Sequence, residues 1–79
     1  MIEVLVYSRT GCHLCEVAMD TLKELQQEME FSLELRLIDG DPELETKYGE
    51  QIPVTLINGE THDFWRVSPE RFRAAIAQL

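Results

Sequence analysis

Apolar positions along the chain change their period several times, and each change marks an element. Ile2-Glu3-Val4-Leu5-Val6-Tyr7 is β-branched and nearly continuous in apolar character, the pattern of a central strand covered on both faces. Ser8-Arg9-Thr10-Gly11 is a polar turn, in which Thr10 is a candidate N-cap and Gly11 lets the backbone bend sharply. From Cys12 to about Met29 the period is helical. Leu14, Ala18, Leu22, Leu25 and Met29 recur at three- or four-residue spacing with Val17 beside them, and Asp20, Lys23, Glu24 and Gln27 fill the other side. Ser32 to Ile38 alternates strictly as far as Leu37, which predicts a strand with one wet face.

Asp39-Gly40-Asp41 is the next turn. Asp41 is placed to cap a short helix with Pro42 at its first position, and Gly49 is its candidate C′ residue. Gln51-Ile52-Pro53 leads into Val54-Thr55-Leu56-Ile57. Pro53 lacks the N–H that a sheet ladder needs, so it belongs at the very start of that strand. Asn58-Gly59 is a type I′ hairpin signal, with Glu60 to Trp65 as the returning antiparallel strand. Ser68-Pro69-Glu70 repeats the cap-then-proline device before a last helix with Phe72, Ala75, Ile76 and Leu79 on one stripe.

The predicted order is β-α-β-α-β-β-α, an α/β chain with a four-stranded mixed sheet flanked by helices. A strand, a long helix and a strand form a right-handed crossover, so the first two strands should be parallel. Strands one and three would be central and strands two and four would be edges. Repeats, linkers and low-complexity tracts are absent, and residues 1–79 read as one domain, expected to be monomeric.

Composition narrows the function. Fifteen acidic residues against seven basic ones leave a net charge of −8, which opposes nucleic acid and anionic membranes as partners. Most of that excess is spread over solvated helix faces; the alternative is a docking surface for a basic partner. No segment has the ~20 apolar residues of a membrane span, and the start at Ile2-Glu3-Val4 does not read as a signal peptide. The expected location is cytoplasmic.

The chemistry centres on Cys12-His13-Leu14-Cys15, which holds both cysteines of the chain. A bridge between them would close a very short loop and contribute little as a staple, because entropic stabilisation grows with loop length. A C-x-x-C where a strand gives way to a helix reads as a redox dithiol. The unpaired N–H groups and positive dipole end of the helix stabilise a thiolate there. Metal binding is the competing reading. Structural zinc takes four ligands, and beyond the two cysteines only His13 and His62 are typical nitrogen donors. A non-catalytic binding module is the third reading.

The element order, Cys12-His13-Leu14-Cys15 after the first strand and Ile52-Pro53-Val54 before the third together resemble the thioredoxin fold, and more narrowly its glutaredoxin branch. The stretch Tyr7 to Glu16 is similar to a set of small glutaredoxin-like domains of unsettled function, as is the pattern from Trp65 to Arg71. The resemblance implies a thiol–disulfide oxidoreductase with Cys12 as nucleophile and Cys15 as resolving thiol. It implies a cis bond before Pro53, which would present the Ile52 backbone to a peptide or glutathione. No bound cofactor is expected, with glutathione as a possible co-substrate, and the short ligand count speaks against a metal in a single chain. The partners would be a disulfide-containing protein or glutathione, with a thioredoxin-reductase-like reductant as the other electron source. Arg9 and His13 join Ile52 and Pro53 as candidate substrate-binding residues: Arg9 as a grip for a carboxylate, His13 as a cation beside the thiolate. Solvated positions with no part in the chemistry are the competing readings for both. Two departures stand out. The usual proline and aromatic between the cysteines are replaced by His13 and Leu14. The double glycine and aspartate that follow the hairpin in glutaredoxins are missing, leaving Ser68 at the last helix start as the available anion cap.

Overall fold

The computed structural model describes Met1–Leu79. Seven elements follow one another: β1 (Glu3–Ser8), α1 (His13–Leu25), β2 (Ser32–Leu37), α2 (Pro42–Tyr48), β3 (Val54–Ile57), β4 (Glu60–Phe64) and α3 (Pro69–Ala77). The sheet order is β2-β1-β3-β4. β1 pairs in parallel with β2, while β3 runs antiparallel to both β1 and β4. This is the mixed sheet with central first and third strands that the hydrophobic pattern predicts.

Two apolar clusters explain why β1 and β3 are apolar on both faces. On one side Val4, Val6 and Ile57 pack with Leu22 and Leu25 of α1, with Phe31, and with Phe72 of α3. On the other, Val54 and Leu56 pack with Tyr48 of α2, joined by Leu5, Tyr7 and Leu44. The Tyr7 and Tyr48 rings stack at 4.9 Å, and Phe31 meets Phe72 edge-on at 5.2 Å. The helices α1 and α3 therefore cover one face and α2 the other.

Local signals set the boundaries. The Asp41 carboxylate accepts the Leu44 N–H and the Ser68 hydroxyl accepts the Arg71 N–H, each with a proline at the start of its helix. Asn58 and Gly59 both adopt positive φ, as the type I′ hairpin requires.

Several expectations need correction. The buried stripe of α1 is Cys15, Ala18, Leu22 and Leu25; Leu14 and Val17 are about half exposed. The apolar period starts at Cys15, so Leu14 falls on the flank of the helix. The helix ends at Leu25, and Gln27 and Glu28 continue in tighter turns onto the carbonyls of Glu24 and Leu25. Thr10 does not cap α1: the cap is Cys12. Gly49 is right-handed at φ −54°, so it closes α2 without a left-handed turn; a Cβ there would collide with the Glu45 carbonyl. Leu35 and Leu37, expected on a dry face of β2, are nearly half exposed, because α1 does not close over that end of the edge strand and a groove lies between them. Trp65 lies just past β4, with φ at +71°. Leu79 lies beyond α3 and is exposed.

Candidate active site

The site is assembled at the end of the sheet where β1 stops. The Cys12 N–H donates to the Arg9 carbonyl at 3.2 Å, closing a turn, and Gly11 sits at φ +78° in the position where such a turn favours glycine. The turn is tied to the segment after β2: the Thr10 N–H donates to the Asp39 carboxylate at 3.1 Å, and the Arg9 Nε lies 3.9 Å from its other oxygen. The Thr10 hydrogen bonds, helped by the Arg9 charge, hold the Asp39 carboxyl below its ordinary range. Arg9 thus has a carboxylate partner inside the chain.

Cys12 caps α1 with its sulfur. Its Sγ accepts the Cys15 N–H at 3.2 Å, so the N-terminal N–H groups and the helix dipole point at this atom. Cys12 and Cys15 are joined as a disulfide with their Cα atoms 5.2 Å apart, inside the usual span for a bridge. Their environments differ. Cys15 is buried at 3% exposure on the core stripe of α1, while Cys12 remains half-buried at the surface. An incoming group therefore meets Cys12 first.

His13 points into solvent, its Nδ1 3.7 Å from a Glu16 carboxylate oxygen. The Ile52–Pro53 bond is cis. Register places Val54 opposite Tyr7, which brings Pro53 to the Ser8 end of β1, beside the cysteine turn. Pro53 is fully buried. Its carbonyl accepts the Trp65 N–H at 2.7 Å, while the Ile52 N–H and C=O take part in no turn or loop hydrogen bond. The Trp65 indole N–H also donates to the Glu50 carbonyl at 2.9 Å. Trp65 thus straps the segment before β3 from outside, holding a left-handed backbone that a bulky residue adopts only at a cost. Sequence reasoning placed Trp65 on the strand; nothing in its pattern signals this strap.

A groove of about 530 Å³ runs from the turn along α1 to the open end of β2. Both cysteines and Arg9 border it, together with Met19, Leu35 and Leu37. His13, Ile52 and Pro53 lie outside it. Of the six candidate residues, the structure therefore gathers Cys12, Cys15 and Arg9 around one cavity, sets Ile52 and Pro53 at the neighbouring strand, and leaves His13 in solvent.

His62 stands apart from all of these. In the bulged pairing of β3 with β4, Asp63 pairs with Thr55 and Thr61 with Leu56, leaving His62 as the extra residue. Its ring meets Phe72 edge-on at 6.0 Å, and its Nε2 is buried without a partner. On the edge strand β4, His62 is half-covered by α3 rather than open to solvent. No three His, Cys, Asp or Glu side chains converge as a metal-holding group.

A cysteine pair at the head of the helix after β1, a cis-proline just before β3 and a β2-β1-β3-β4 sheet define a thioredoxin-fold domain with a dithiol site. The solved structures agree. A solution structure from Nitrosomonas europaea superposes with a TM-score of 0.85 at 30% identity, covering 94% of this chain and 89% of its own. An X-ray structure from X. campestris superposes at 0.81 with 28% identity, covering 96% and 97%. The family model for the glutaredoxin-like domain (DUF836) matches residues 3–77, and the chain belongs to that family. An uncharacterized Mycobacterium tuberculosis protein is 33% identical over 81 residues, spanning 96% of this chain and 84% of the relative.

Proposed function

We propose that this chain is a thiol–disulfide oxidoreductase with Cys12 as the nucleophile and Cys15 as the resolving thiol. The observation that carries the reading is the Cys15 N–H aimed at the Cys12 sulfur at 3.2 Å. A hydrogen bond and a helix dipole at the more exposed sulfur favour its anionic form, which is the reactive one in exchange. In the reduced protein the Cys12 thiolate attacks one sulfur of a substrate disulfide. A Cys12–substrate S–S bond forms, and the substrate's own S–S bond breaks with its second sulfur leaving as thiolate. The Cys15 thiol loses its proton to solvent and attacks the Cys12 sulfur, forming the internal bridge and releasing the first substrate sulfur. Two electrons pass to the substrate and the protein ends oxidised.

Reduction of the bridge then needs an external dithiol or thiol. Glutathione and a thioredoxin-reductase-like flavoenzyme are the two donor classes, and both fit a cytoplasmic setting, where thiols are kept reduced. Arg9 and the free backbone groups of Ile52 are the candidate contacts at the reacting disulfide itself in this reading. His13, paired with Glu16 and exposed, has the weakest claim to a role.

Pre-reduced protein mixed with insulin or with a small mixed disulfide should lose two thiols per molecule while releasing two from the substrate. Recycling with each donor in turn identifies the electron source. Cys12→Ser should abolish the exchange. Wild-type protein that reduces neither substrate would sink the proposal.

A further inference from the structure

The groove beside the cysteines has a chemistry of its own. Its outer wall is β2, an edge strand paired only with β1. The Ser32 N–H donates to the Ile2 carbonyl and the Ile38 N–H to the Ser8 carbonyl. In a parallel ladder such bonding alternates along the strand, so residues 32, 34, 36 and 38 face β1. The backbone N–H and C=O groups of Leu33, Leu35 and Leu37 then point away from the sheet and stay unpaired. The register also pairs Leu35 with Val6 and Leu37 with Ser8, so their side chains share the face that carries α1. Leu35 is 45% and Leu37 49% exposed there. The same strand end therefore combines free main-chain groups with an uncovered apolar surface, and it leads to Cys12 and Cys15 at the head of the groove.

Those features specify an occupant. Unpaired edge groups are satisfied by an extended polypeptide, not by a small thiol. An apolar floor selects apolar side chains at alternate positions. A sulfur at the end selects a disulfide. A net charge of −8 opposes a strongly acidic partner. We propose that the free edge of β2 and the Leu35–Leu37 floor bind an extended, disulfide-bearing segment of a protein substrate by strand addition, presenting its disulfide to Cys12. The inference rests on the oxidoreductase reading and names its substrate class. The docking edge is β2, on the opposite side of β1 from Pro53.

The test is a single-turnover rate comparison with pre-reduced protein, so no electron donor is needed. The probes are a synthetic peptide disulfide with leucine at alternate positions beside its cysteine, the same peptide N-methylated at alternate amides, and oxidised glutathione. The readout is the rate on the peptide divided by the rate on oxidised glutathione. Leu35→Glu with Leu37→Glu should lower that ratio about tenfold, equivalent to about 1.4 kcal/mol of lost binding. Leu35→Ser with Leu37→Ser, gentler on folding, should lower it in the same direction. N-methylation should reduce the ratio for the wild type. An unchanged ratio in a folded variant would overturn the proposal, as would sedimentation showing a dimer that the leucine substitutions dissociate, since the edge would then serve a second copy. Wild type inert towards both disulfides would instead defeat the oxidoreductase reading itself.

Discussion

Individual residues divide the work at the site by burial. Cys12 is half-buried and Cys15 only 3% exposed; with Cys15 as the proposed resolving thiol, Cys15→Ser should stop the reaction after the first exchange. Mass spectrometry should then find substrate held on Cys12, where wild type holds none. His62 makes a different prediction. Burial against Phe72 pushes its imidazole below the ordinary range; Arg71 adds to this and Asp63 opposes it. A depressed folded-state pKa means that the unfolded chain takes up the proton first as pH falls. Stability is therefore full above about pH 6.5, the ordinary histidine value. It declines below that and levels off once the folded imidazole also protonates. Urea midpoints measured from pH 8 down to pH 5 should fall, and His62→Leu should flatten that part of the profile. The place of the cysteine pair at the head of α1 was legible from its spacing and its position after the first strand. The burial of His62 was not, because a bulge in β4 pairs Asp63 with Thr55 and leaves His62 as the extra residue towards α3.

At the scale of elements, the caps carry much of the definition. Ser68 accepts the Arg71 N–H at the head of α3, and Ser68→Ala should cost about 1 kcal/mol in urea or thermal unfolding. Its weight comes from Phe72 one turn later, which needs α3 seated to reach the core. The caps of α2 and α3 were readable because Asp-Pro and Ser-Pro are local signals. The cap of α1 is not Thr10 because the helix begins at His13, two residues beyond the reach of a Thr10 cap, and the unusual acceptor there is the Cys12 sulfur. The edge character of β2 was expected from topology, but its exposed leucines were not. An alternating strand implies a covered face only if a helix is long enough, and positioned, to cover it.

For the whole molecule, a 79-residue chain has a small net stability, on the order of 0.05–0.15 kcal/mol per residue. Phe72 is fully buried in the cluster that joins α1, α3 and the sheet. Phe72→Ala should cost about 3–5 kcal/mol and shift the urea transition accordingly, with most of the folded population lost on warming. No helix is long and apolar enough to cross a membrane. The sequence by itself determined the element order, the parallel first pair of strands, the hairpin and the cysteine pair at the start of α1. Each depends on residues near one another in the chain, through period, cap, turn or spacing. Tertiary structure alone decided which apolar residues are covered, which groove the cysteines open onto, and how Trp65 holds the segment before β3. Those outcomes depend on where one element ends over another, and that is set by packing across the sheet, which no local pattern encodes.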